Sequence, residues 1–303
     1  TTQGTGSIAI GYKAGASAQC QQAIAIGTSA GALEQGTGAI AIGFEAGKDN
    51  QDISAIAIGD QAGHAGQGNQ GIAIGHKSGQ QSQEAKAVAI GFKSGNYNQR
   101  SLAIALGSSA GFNEQKSNSI AIGVESGRQS QGAQAIAIGA SAGQTSQGDN
   151  AIAIGSGAGQ TGQGAKSIAI GTSSGYYSQG QQAIAIGASA GQSGQGNYAI
   201  AIGPNAGQSG QAELGIAIGM QAGATGQGNY GVAIGYQAGM VEAEQDSIVI
   251  GRAAGKAGLG RDSIGIGNNA GSGGGTAQRA ICIGKYAGVG GQGTESIAIG
   301  LYA

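Results

Sequence analysis

The string Ala-Ile-Ala-Ile-Gly, as at Ala151–Gly155, recurs through the chain with one-letter variations. Copies end at Gly11, Gly27, Gly43 and every sixteen residues onward to Gly267, then at Gly284 and Gly300, nineteen in all. Self-similarity at a fixed short period marks a stacked repeat architecture and outranks any local propensity. The expected fold is therefore all-β: a parallel β-solenoid, or β-roll, of about nineteen coils of sixteen residues, running as a single continuous repeat domain over residues 1–303.

One repeat shows why each should close into a coil. Ser167 to Ile170 alternate small and large, the period-two pattern of a strand, with Ile168 and Ile170 on one face and Ser167 and Ala169 on the other. Gly171 ends the strand. Four residues on, a second glycine recurs as Gly159, Gly175, Gly191 and Gly207, always after Ala or Ser; such a fixture calls for positive φ or an approach too close for a Cβ. A further turn is expected at the Gln-Gly pair, Gln163-Gly164, with a second short strand before it. A strand this short is unstable alone, so each coil must pair with its neighbours. In-register stacking then puts Ile on Ile, Ala on Ala and Gln on Gln.

The Ile ladder departs only at Val88, Val232 and Leu106. At ~1.5–3 kcal/mol per buried Ile it is expected to be the main source of stability, so Ile154→Asp should disrupt local stacking. The Gln ladder runs without a gap from Gln19 to Gln227, lapses at Ala243 and Leu259 and returns at Gln292. Stacked side-chain amides can hydrogen-bond along such an axis, and Gln163→Ala is expected to be mild because Ala243 already stands at that place. Between the two isoleucines lies Ala almost throughout, with Val249, Gly265 and Cys282 as exceptions, and the residue before the first is always Ala, Ser or Gly. A smooth uncharged strip of this kind is expected to pack against other chains, three-fold association being the natural closure for identical rods. Which ladder fills the interior and which faces the axis stays open at this stage. A register slip of one residue is expected near 272–276, where one repeat holds seventeen residues.

Composition excludes several classes. Net charge is −1 and only 10% of residues are charged, so neither nucleic acid nor an anionic membrane finds a basic face here. No apolar run approaches the ~20 residues that span a bilayer, so no membrane contact is expected within this segment. Cys20 and Cys282 stand about sixteen repeats apart, roughly 75 Å at strand spacing, too far to bond within one straight rod. Both ends fall within repeats, which reads as a fragment of a longer fibre.

Apparent chemical motifs follow from the repeat. Gly66-x-Gly68-x-x-Gly71 and Gly226-x-Gly228-x-x-Gly231 precede a strand, where a dinucleotide loop follows one. Gly171–Gly175 and Gly187–Gly191 fit Gly-x-Ser-x-Gly without a helix or a partner His. His64 and His76 fall on adjacent coils at different turn positions and read as solvated turn residues in preference to a metal pair. Gly258–Asp262 has an unrepeated Asp, unlike a calcium-binding solenoid. Catalytic, cofactor and metal residues are accordingly read as none. The variable turn positions carry Tyr12, Phe44, Phe92, Tyr97, Phe112, Tyr176, Tyr177 and Tyr236, which must face solvent or a partner.

Repeats reading Ala-Ile-Gly-x-x-Ala, as in Ala153–Ala158, resemble the head repeats of trimeric autotransporter adhesins of the YadA type; stretches such as Ala233–Ala238 are also similar to shaft repeats of phage and large-virus fibres. The resemblance implies trimers of left-handed parallel β-rolls with one repeat per coil, displayed on a bacterial surface. Together these readings point to a non-enzymatic structural or adhesive fibre segment, extracellular on a cell or virion surface. It would be a stiff homotrimeric rod acting in attachment or as a spacer, with its variable turns open to a host-cell or surface receptor. The competing class is an ice- or crystal-surface binder. That class needs a regular outward rank, yet Thr145, Thr161 and Thr225 share their position with Leu33, Asp49, Ala65, Tyr97 and Tyr177.

Overall fold

The computed structural model describes residues 3–273 and 278–303, in two compact units, Thr1–Asn150 and Ala151–Ala303. Each unit is a parallel β-solenoid, and every strand among the described residues is three residues long. The first unit stacks nine Ile-x-Ile-type strands, from Ile8–Ile10 to Ile136–Ile138, and the second stacks ten, from Ile152–Ile154 to Ile297–Ile299. Pairing is parallel and in register: Ile24, Ala25 and Ile26 lie against Ile40, Ala41 and Ile42 in the first unit, and Ile168 to Ile170 against Ile184 to Ile186 in the second. The register slip is visible in Ile264 pairing with Ile281, while the extra residue itself falls around 274–277, outside the described residues.

The second strand read from the sequence is present and ends at the fixed Gln, as in Ser17–Gln19, Thr145–Gln147 and Ser193–Gln195. Its middle residue is left-handed, with φ of 55° at Ala18 and Ser146 and 53° at Ser178. Only the outer two residues therefore pair, Ser17 with Leu33 and Gln19 with Gln35. Two turns close each coil. In one, Ala30 N–H donates to Gly27 O at 3.2 Å around Ser29 at φ 57°; in the other, Ala39 N–H donates to Gly36 O at 3.2 Å around Gly38 at φ 67°. A positive φ at the third position is the type II signature. Ser, Asn, Gln and Lys held there are strained, and such strain persists only where the surroundings over-determine the backbone. Here the coils above and below do so.

The two fixed glycines have different reasons. Gly155 has φ 128°, and a Cβ there would stand 2.7 Å from the carbonyl oxygen of Gly171 in the next coil, a main-chain obstacle that cannot step aside. Gly159 has φ 52°, and its Cβ would meet Gln163 Oε1 at 2.6 Å. Both causes anticipated from the sequence for the second glycine, positive φ and close approach, apply there, and they apply to the strand-ending glycine as well.

The interior corrects one expectation. Ala151, Ala153 and Ala158 have no exposed surface and Gln163 has 2%, whereas Ile152 and Ile154 point outward. The small-residue strip thus fills the coil, and the Ile ladder is the half-covered outer face. Strand alternation allows either facing; volume decides. A sixteen-residue coil encloses a layer one Gln wide, and the Gln side chain beneath the second glycine leaves room opposite for only a methyl group. Ile154→Asp should consequently leave the coil of an isolated chain standing, contrary to the reading from sequence.

The Gln ladder is the centre of each unit. Gln131 Nε2 donates to Ile120 O at 2.8 Å, to Ala135 O at 3.4 Å and to Gln147 Oε1 at 3.2 Å, and its Oε1 accepts from Gln115 Nε2 at 3.1 Å. The same relay runs from Gln19 to Gln147 in the first unit and from Gln179 to Gln227 in the second. Burying an amide is tolerated because every polar atom in the relay's middle is paired, and aligned amides reinforce one another.

Where the ladder lapses, the residue six positions on changes with it. Ala243 comes with Val249 in place of Ala, and Leu259 with Gly265. Val249 and Leu259 join one apolar cluster with Ala243 and Ala254, and a Cβ on Gly265 would lie 3.5 Å from Leu259 Cδ2. Total volume is kept while the amide is lost. A bare Gln-to-Ala change is therefore not what the chain itself tolerates, which reverses the expectation of a mild effect. Gln131→Ala breaks the relay on both sides, at Gln115 and at Gln147, and opens a cavity beside them; it should cost about 2–4 kcal/mol. Adding Ala137→Val should recover part of that loss, as read from denaturant unfolding midpoints of wild type, single and double variants.

Candidate functional site: the outward apolar face

Each coil presents one outward row: two isoleucines, set outward by alternation along the strand, flanked two positions away on either side by a turn residue. In the second unit a row reads Tyr198, Ile200, Ile202, Pro204, with Ala199 and Ala201 turned inward and fully buried. The two isoleucines recur in every coil and form two parallel columns down each unit. They cover one another only in part: Ile58, Ile90, Ile154 and Ile170 remain 36–39% exposed. Branched apolar side chains in unbroken columns, with no charge at any position of the Ile strands, form an apolar surface larger than solitary exposed residues would make. Covering the exposed third of each Ile is worth ~0.5–1 kcal/mol, from ~1.5–3 kcal/mol for full burial.

The face bearing the short strands is polar. Two shallow grooves run there in the first unit, one of about 550 Å³ lined by Asn50, Asp52, Ser82, Glu84 and Ser101 among others, the other of about 480 Å³ by Cys20, Glu34, Asn50, Asp52 and Ile53 among others. Their charges are tied along the stack: Arg100 bridges to Glu84 of the preceding coil at 2.6 Å, and the Arg100 hydrogen bond holds the Glu84 carboxyl below its usual range. Asp149 is likewise lowered, chiefly by the main-chain N–H of Ala133. These pairs are solvent-exposed, so the energy they contribute is small.

The residues singled out from sequence lie apart. His64 Nε2 stands 3.4 Å from Glu45, while His76 stacks on Phe92 at 5.4 Å. Among the described residues no group of three or more His, Cys, Asp or Glu side chains comes together as a metal shell. Ser173 of the Gly171–Gly175 match occupies the left-handed corner of a turn at φ 54°, and Ser174 is buried with its hydroxyl donating to Gly171 O at 2.9 Å, a replacement for the core Ala. Cys20 is exposed and Cys282 buried, burial raising the Cys282 thiol. Thr145, Thr161 and Thr225 sit on the short-strand face among Tyr, Ser and Gln, so no regular Thr rank is formed.

Aromatic residues at the variable positions gather in small groups. Tyr97 meets Phe112 edge-on at 5.5 Å, with the Arg128 guanidinium 5.8 Å above the Phe112 ring. Tyr176 meets Tyr177 edge-on at 4.3 Å. Sequence reading missed one feature: in three consecutive coils the ends of the outward row are also apolar, with Tyr198, Leu214 and Tyr230 before the isoleucines and Pro204, Met220 and Tyr236 after them, all exposed. The signal was available two positions either side of the Ile pair, once those positions are known to flank its outward face.

Fold and site thus define a repeat β-solenoid with a small-residue and amide interior and an apolar outer face. Residues 3–19 and 21–46 match the YadA head domain repeat, in two copies. A comparison with curated proteins finds no match. The matched stretch is built from the same sixteen-residue unit as the rest of the chain and is similar to the adhesin head repeats that the motif at Ala153–Ala158 resembles. No helix of the described residues is long and apolar enough to cross a membrane.

If the outer columns serve association, inward and outward substitutions should separate. Ala169→Asp buries an unpaired charge and should abolish cooperative unfolding of its unit, whereas Ile170→Asp should keep the strand signal in circular dichroism and lose association in sedimentation.

Proposed function

We propose that this chain is a segment of a non-enzymatic structural and adhesive fibre. Its coils give stiffness, its outward Ile columns bind copies of the same chain into a homotrimer, and its variable turns face outward. The observation that carries this reading is the half-exposed Ile pair, repeated in every coil of both units without a charge to interrupt it. A chain meant to remain single would place polar residues there. The head-repeat match supports display on a cell surface, in attachment or as a spacer. Aromatic and polar turns repeated along a stack suit many weak contacts to a host-cell or surface receptor, where avidity makes up for single-site affinity.

Light scattering on the purified chain tests the assembly. A particle of three times the 28.9 kDa chain mass is expected, and a particle of one chain's mass contradicts the proposal.

A further inference from the structure

The three fully apolar rows form a feature that the repeat itself does not require. In every other described coil at least one row end is polar or glycine: Lys86 opposite Phe92, Asn118 opposite Val124, Gly38 opposite Phe44, Gln182 opposite Ala188. From Tyr198 to Tyr236 both ends are large and apolar over three successive coils, and Tyr198, Leu214, Met220, Tyr230 and Tyr236 are all exposed. The next coil places Asp246 at the start of the row and Arg252 at its end, both exposed, with the strand Ile248–Ile250 between them. The two ends of the row therefore correspond coil by coil: apolar with apolar three times, then acid with base.

We propose that residues 198–252 form the grip between neighbouring copies of this chain, the start of each row on one copy seated against the end of the same row on the next. The inference rests on the self-association reading and adds to it which residues meet. Rotation about an axis parallel to the stack brings the beginning of a strand on one copy beside the end of that strand on its neighbour, and three such unlike contacts close a ring. Like ends never meet in that arrangement. Tyr198 then faces Pro204, Leu214 faces Met220, Tyr230 faces Tyr236, and Asp246 faces Arg252, so each contact is matched in polarity. Tyr is suited to such an edge, since its ring is buried while its hydroxyl stays wet. The Ile columns supply area along the whole unit; these row ends set rotational position and coil height, because a shift of one coil would seat Tyr230 of one copy against Arg252 of the other, or in the opposite direction Asp246 against Tyr236, and break the match.

Cysteine cross-linking reads this directly. The full chain carries Cys20→Ser with Tyr230→Cys and Tyr236→Cys. Within one chain the two new thiols are separated by the strand Val232–Ile234, more than ~10 Å, beyond the ~7 Å that a disulfide can span. Mild oxidation should give covalent trimers on a denaturing gel for the double variant and only background for either single variant. Cross-linked dimers from a single variant would show like ends meeting and overturn the proposal. If the unmodified chain scatters as three chains and the double variant stays uncross-linked, the grip is wrong while self-association stands; if the unmodified chain scatters as one, both fail. As a second arm, Leu214→Glu should raise the concentration needed for assembly about tenfold or more, and adding Met220→Lys should restore it. Assembly untouched by the first change, or unrecovered by the second, overturns the pairing.

Discussion

The dependence of almost everything else on the amide buried in each coil from Gln19 to Gln227 is the central physical fact of this fold. A sixteen-residue loop of chain leaves an interior one side chain thick, and Gln fills it with two methylenes and an amide that no smaller residue replaces alone. Each buried amide needs partners for two donors and an acceptor. It finds them in its own coil's carbonyls and in the Gln one coil away. That requirement forces in-register stacking, since a coil shifted by one residue would leave two amides unpaired in a dry interior. It also fixes the second glycine, because the Gln side chain occupies the space where a Cβ would stand.

Once Gln and Ala fill the inside, the isoleucines have nowhere to go but out. The chain spends its most hydrophobic residues on a surface, which is unfavourable for a free solenoid and favourable for one that never stays free. The same choice explains why charge is confined to the turns and the short-strand face. Stability within a coil stack comes from main-chain hydrogen bonds and the amide relay; cohesion between chains would come from the Ile columns and, at residues 198–252, from the ends of the row. Separating the two functions lets the turns vary between Phe, Tyr, His, Asp and Ser without disturbing either, and that freedom is what an attachment surface needs.

Much of this was legible in the sequence. The period gave the coil, Gly159 announced a backbone position closed to other residues, and the unbroken run from Gln19 to Gln227 announced an amide ladder. The facing of the strand was not legible, because alternation at Ala151–Ile154 says only that the two sets of residues lie on opposite sides. The usual rule that the larger apolar residue goes inside fails here for lack of room. Reading Gln163 as a turn residue hid the fact that it takes that room. Val249 beside Ala243 and Gly265 beside Leu259 were clues to the interior: paired changes six residues apart mark side chains that share one space. The apolar row ends at Tyr198 and Tyr236 could be grouped only after the outward side had been identified.

Side-chain hydrogen exchange at the glutamines tests the inward amide relay most directly. By nuclear magnetic resonance, the Nε2 protons of Gln35, Gln51 and Gln131 should exchange orders of magnitude more slowly than those of the turn residue Gln134, because opening them requires parting two coils. Equal and fast exchange at all four would mean that the fixed glutamines face water, and the account of the fold built on them would be wrong.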